Sequence, residues 1–179
     1  MEVIAANATA QALWDVDLAR EFLGPLDRNL LSVASNPRFA DRVANWDEAV
    51  GTIVWMFKAF HREQEQLENP SPYFAAALEH FMKGDPKYVG KLFDLWQAAP
   101  EGTVARIRWA YPIVWEEPGY GRMRFRCLVS SLSEVDGMSV NDWIPADAAS
   151  WSVLERIKSD RAGAAEPQRE TAADAAGGS

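Results

Sequence analysis

Through the first hundred residues apolar positions recur every three or four places, and after Pro100 they alternate. The first spacing predicts helices and the second half-buried strands. Asn7 stands before an Ala-rich run through Trp14 and can cap it, because its side chain can accept an orphan backbone N–H. Gly24-Pro25 breaks the next short segment. Arg28 to Val33 predicts a short helix ending before Asn36-Pro37. Pro37 opens another, since the N–H it lacks has no helical partner there anyway. A longer helix is predicted from Trp46 to about Gln66, with Trp46, Ala49, Val50, Ile53, Phe57 and Phe60 as its stripe. Asn45 and Glu48, three residues apart at its start, resemble a capping box. Trp55 and Met56 lie off the stripe, so this helix is apolar on more than one side. That predicts burial between two layers or against a second copy. A helix from Pro72 to Met82 follows. Then Asp85 caps another opening at Pro86, with Tyr88, Val89, Leu92, Phe93 and Trp96 as its apolar face.

In the later regime Ile107, Trp109, Tyr111, Ile113 and Trp115 alternate with Arg106, Arg108, Ala110, Pro112 and Val114. Met123, Phe125, Cys127 and Val129 alternate with Arg122, Arg124 and Arg126. Glu117-Pro118-Gly119-Tyr120-Gly121 joins the two runs as a hairpin. Pro112 cannot donate to a ladder and marks an edge or a bulge. Met138 to Ile144 predicts a third strand, after the Asp136-Gly137 turn, and Trp151 to Lys158 a closing helix. The first residues, MEVIAAN, read as an opening strand whose partner must lie among the distant C-terminal strands. Together these elements predict an α+β fold. Its antiparallel sheet would have about four to five strands, with a layer of five to six helices inserted between the first strand and the later ones. One domain is expected over residues 1–158. The Ala-, Gly- and charge-rich residues 159–179 read as a disordered tail.

The composition narrows the function. The chain of 179 residues is 48% apolar, enough for one core, and carries a formal charge of −8. Binding a phosphate backbone needs clustered Lys and Arg, so an acidic chain does not suit DNA or RNA. Cys127 is the single cysteine, which excludes an internal disulfide and suits a cytoplasmic protein. No basic-then-apolar leader opens the sequence. No apolar run approaches the roughly 20 residues of a membrane span. Asn7-Ala8-Thr9 matches a glycosylation sequon by chance. Eight Trp supply large apolar surfaces that fill cores and line apolar pockets.

Catalytic constellations are thin. His61 and His80 are the only histidines and lack the i, i+4 partner of a helical metal pair. Cys127 reads as a buried, inert thiol, Gly119-Tyr120-Gly121 as a turn, and Glu63, Glu65 and Glu68 as a solvated charge run. The suggestive arrangement is the hairpin, aromatic on one face and arginine-rich on the other. Its plain reading is a core beneath and ion pairs above. Its functional reading is an apolar cavity between hairpin and long helix. Trp109, Tyr111 and Phe125 would form the sheet wall, with Trp55 and Phe57 contributing from the helix. Arg108 or Arg124 would meet an anionic head group, one of them turned inward by a bulge at Pro112.

The block Arg28-Asn29-Leu30-Leu31, Asn36-Pro37-Arg38-Phe39 and Asn45-Trp46-Asp47-Glu48-Ala49 resembles the MmyB-like ligand-binding domain of XRE-type helix-turn-helix transcription regulators. Asp85-Pro86-Lys87-Tyr88-Val89, Leu95-Trp96 and the strand pair follow in the same order, so that the likeness covers roughly residues 1–158. Val3 to Ala8 resembles the early strand-to-helix corner of a PAS-like domain. The resemblance implies a PAS-like fold behind an N-terminal helix-turn-helix, with MEVIAAN as its second strand. It implies a non-catalytic sensory domain that binds a fatty acid or similar apolar molecule and so modulates DNA binding. It also implies a cytoplasmic homodimer that reaches DNA only through the N-terminal domain. Gln97 follows Leu95-Trp96 near where many members carry a His, and Asn141 to Pro145 differs from the common final strand. Two other readings fit the same residues. One is a ligand-free dimerisation module built on the Trp-rich helix. The other is a PAS-type haem or flavin sensor, the haem held through His61 or His80.

Overall fold

The structure is a computed structural model and describes residues 3, 5–16, 24–65, 72–100, 108–131 and 139–161. In chain order the elements are α1 (Ala8–Trp14), α2 (Leu30–Ser35), α3 (Pro37–Ala40), α4 (Trp46–Glu65), α5 (Pro72–Met82) and α6 (Pro86–Ala98). Then come β1 (Arg108–Glu117), β2 (Gly121–Ser131), β3 (Ser139–Pro145) and α7 (148–161). The α+β class follows from the sequence as expected. Six described helices precede a single antiparallel sheet of order β1-β2-β3.

The helix starts rest on side-chain caps. Asn7 accepts from the Ala10 amide, Asn29 from Leu31, Asn36 from Arg38 and Asp85 from Lys87. Each satisfies one of the orphan donors of a first turn. Pro37 and Pro86 occupy first positions, where no N–H is needed. On α6 the buried face is Tyr88 and Leu92, flanked by Val89, Leu95 and Trp96. Phe93, expected on that face, is instead 56% exposed. It sits one position round from Leu92, on the solvent side of the stripe.

β1 and β2 pair without a break, from Arg108 opposite Ser130 to Glu117 opposite Gly121. The turn fits type II: Pro118 leads, Gly119 has φ +81°, and the Tyr120 amide donates to the Glu117 carbonyl at 3.0 Å. Alternation holds along the hairpin. Tyr111, Ile113, Trp115, Met123, Phe125, Cys127 and Val129 are buried, while Ala110, Pro112, Glu116, Arg122, Arg124 and Arg126 are exposed. Pro112 therefore marks an edge and not a bulge. Its neighbours along β1 turn their outward backbone groups to residues 42–45, where the Ala44 amide donates to Val114 O and the Glu116 amide to Arg42 O. Asn45 completes this cover. Its Oδ1 accepts from the Val114 amide at 2.7 Å, and its Nδ2 donates to Pro112 O at 3.1 Å and Glu48 Oε2 at 3.0 Å. Asn45 is thus at the cap position of α4, its carbonyl accepting the Ala49 amide. The oxygen expected to close a capping box is spent on the sheet edge.

The expected four to five strands are three among the described residues. Met1, Glu2 and Ile4 of the opening strand lie outside them. The amide of Val3 donates to Arg28 O at 2.8 Å, so this stretch meets the loop before α2. Residues 101–107, 132–138 and 162–179, with Arg106, Ile107, the Asp136-Gly137 turn and the expected tail, also lie outside the described residues.

The core lies between the inner face of the sheet and the helices. Trp46, Ala49, Val50, Ile53, Val54, Met56, Phe57 and Ala59 of α4 are all buried. β1, α6 and α2 pack against the helix. The apolar excess that suggested a partner for α4 is therefore met largely within the chain. Trp143 of β3 gathers the rings of Trp14, Phe39, Trp115 and Phe125 at centroid distances of 5.6–5.9 Å. No described helix is long and apolar enough to cross a membrane.

Candidate functional site

The two walls expected for an apolar cavity belong to one core. Phe57, Tyr111 and Phe125 are fully packed in it, and Trp55 and Trp109 are half-buried against it. Phe57 meets Trp96 edge-on at 6.3 Å, and Phe125 meets Trp143 at 5.6 Å. The Tyr111 hydroxyl accepts from Asn141 Nδ2 at 3.0 Å. Burial, and after it the neighbouring Cys127, pushes the Tyr111 phenol far above its ordinary value. Burial does the same to the Cys127 thiol. Tyr111 and Cys127 face each other across β1 and β2. Both stay protonated, so this stretch offers no nucleophile or base.

Arg124 lies on the other face of the sheet, exposed and opposite Val114. Its amide donates to Ser150 Oγ at 2.9 Å. The unbroken pairing of β1 with β2 supplies no bulge to turn it inward. The side chain of Arg108 lies outside the described residues, as do those of His61, Glu63 and Glu65 and the whole of Glu68. His80 Nε2 lies 3.1 Å from Asp27 Oδ1, and both side chains are more than a third exposed. Among the described residues no three His, Cys, Asp or Glu side chains form a group that could hold a metal.

A cleft of about 440 Å³ opens where α3, the start of α4 and the first turns of α6 meet. Val43, Trp46 and Tyr88 form its apolar floor, and Asp41, Asp47, Glu48, Lys87 and Lys91 its rim. None of the seven residues expected to bind ligand lines it. The rim is paired with itself. Lys87 Nζ meets Asp41 Oδ1 at 2.7 Å and Lys91 Nζ meets Asp47 Oδ1 at 3.1 Å, while the Tyr88 hydroxyl donates closely to Asp41. The two ammonium groups also lie over aromatic rings, Lys87 over Tyr88 at 4.7 Å and Lys91 over Trp46 at 5.3 Å. The Lys87 hydrogen bond, then that of Tyr88, holds the Asp41 carboxyl below the usual range. The Asp41 hydrogen bond raises Lys87 above its ordinary value. Neither group titrates near neutrality, so this pair offers no general acid or base. It is a seam of ion pairs joining α3 and α4 to α6.

One cluster is barely signalled in the sequence. Glu117 closes β1 on the inner face, 3% exposed. Its carboxylate accepts from Trp115 Nε1, Arg42 and Arg161, at 2.8, 3.2 and 2.7 Å. In the sequence it is one acid of a polar turn, and its partners stand 75 and 44 positions away. Alternation along β1, which places residue 117 with Trp115, was the one available hint. No protein-family model matches the chain, and no curated protein matches it either.

Proposed function

We propose that the chain is the effector-binding, non-catalytic sensory domain of a bacterial transcription regulator, PAS-like in fold and cytoplasmic. It takes a fatty acid or similar apolar molecule into the layer between sheet and helices. One observation carries the reading. Five aromatic residues expected to wall a ligand, contributed by α4, β1 and β2, pack against a single core, and two of them, Trp55 and Trp109, keep part of their surface open. The resemblance of its motif order to that of MmyB-like domains supplies the rest. Ligand occupancy would shift the population between DNA-competent and incompetent states of a homodimer, with DNA held by a separate helix-turn-helix.

With Arg124 on the outer face, the ligand's carboxylate belongs at the rim, in water, because a buried unpaired charge is costly. Affinity then comes from chain burial, at roughly 0.8 kcal/mol per CH₂. Titration of saturated C8 to C18 acids, followed by tryptophan fluorescence, tests this. The expected result is an affinity that climbs about tenfold for every two carbons until the site is full, and that Arg124→Ala leaves unchanged. No binding, or affinity independent of chain length, overturns the reading.

A further inference from the structure

We propose that α7 holds α1 in place through the buried carboxylate of Glu117, forming a latch between the first and last described helices. The two guanidinium groups on Glu117 do not stop there. Arg161, on the last turn of α7, also donates from Nη1 to the carbonyls of Ala12, closely, and Leu13, at 3.3 Å. Arg42 reaches Trp14 O at 3.5 Å. These are the carbonyls of the last turn of α1, where a cation is favoured; Ala12 O also accepts the Asp15 amide at 3.3 Å.

α1 has reason to depend on them. At seven residues it is too short to persist alone. It buries Leu13, rests the Trp14 ring on Phe39 and Trp143, and ends at Asp15 in the left-handed region, φ +55°. The end of α7, by contrast, has anchors of its own on the hairpin turn. The Tyr120 hydroxyl donates to Asp160 at 2.9 Å, and Arg156 donates to Tyr120 O at 3.2 Å with its guanidinium over the Tyr120 ring. Arg42 and Trp115 remain on Glu117 when Arg161 is removed. Loss of Arg161 therefore loosens the last turn of α1, which keeps Arg42 on Trp14 O and Arg38 on Asp15 O, and leaves the hairpin and the carboxylate's other partners in place. Coupling of this kind is reciprocal, so loosening α1 must also loosen the last turn of α7. The latch stands on these contacts alone, whatever the ligand of the domain.

Hydrogen exchange on the whole chain tests it. In Arg161→Ala the amides of Ala12 to Trp14 should exchange at least about tenfold faster, as expected for the loss of charge-assisted hydrogen bonds. Those of β2 should keep wild-type rates. Arg161→Lys, which replaces the guanidinium fork by one ammonium, should fall between. The reciprocal arm is Asn7→Ala, which removes the cap on the Ala10 amide at the opposite end of α1. It should speed exchange over residues 158–161. Wild-type rates in α1 of Arg161→Ala overturn the latch, as does equal acceleration in β2. So does an Asn7→Ala variant whose α1 loosens while α7 does not.

Discussion

Cys127 shows how far position outweighs residue type. The thiol is fully buried in the middle strand, and burial pushes its pKa up, so the thiolate that reacts is withheld. Ellman's reagent at pH 8 should find almost no thiol in the native protein and one per chain after unfolding in urea. Rapid stoichiometric labelling of the native state would contradict the packing. Asp41 makes the opposite case at the surface. Its folded pKa lies below its unfolded value because Lys87 and Tyr88 donate to the carboxylate. Its contribution to stability is therefore complete above about pH 4 and is lost as pH falls through the lower folded value. Asp41→Asn should melt slightly below the wild type at pH 7, with the gap closing toward pH 2. An exposed pair is worth little, so a large deficit, or one that widens in acid, would show another mechanism. Cys127 could be located on its strand from the sequence. The pairing of Asp41 could not, because Lys87 stands 46 positions away.

Asn45 carries the lesson about elements. Residues 42–45 lie along the outer edge of β1 and cover backbone groups that would otherwise face solvent or another chain. Asn45→Ala leaves the part-buried Val114 amide without its acceptor and should cost about 1–3 kcal/mol in urea denaturation. Asn45→Asp retains that acceptor, loses the donor to Pro112 O, and should cost less. Equal stability of Asn45→Ala and wild type would mean that the edge needs no cover. Local chemistry predicted a helix start at this position and the helix is there. The edge of a strand nearly 70 residues later competes for the same side chain, and a local pattern holds no record of that competition. Phe93 differs for a simpler reason. Apolar residues at adjacent positions of a helix point 100° apart, and only the packing decides which of them faces in.

The whole molecule should not hold duplex DNA by itself. With a formal charge of −8, it lacks the cationic excess that phosphate neutralisation requires. Although Arg122, Arg124 and Arg126 share one exposed face, Arg122 is already paired with Glu116. Anisotropy titration with a labelled duplex at physiological salt should show no binding below the micromolar range. Tight, salt-sensitive binding would refute this. The class of fold, the starts of α1 and of α3 to α6, the hairpin with its turn, and the two faces of the sheet were legible from the sequence, because period, caps and turn residues act within a few positions; α7, expected over 151–158, runs 148–161. Tertiary structure alone decided how α4 is covered, where the 440 Å³ cleft opens, and that Asn45 serves β1. It also decided that Glu117 gathers Arg42 and Arg161 beneath α1. Each of these is a meeting of residues far apart in the chain, and the free energy that selects it exists only once several elements exclude water together.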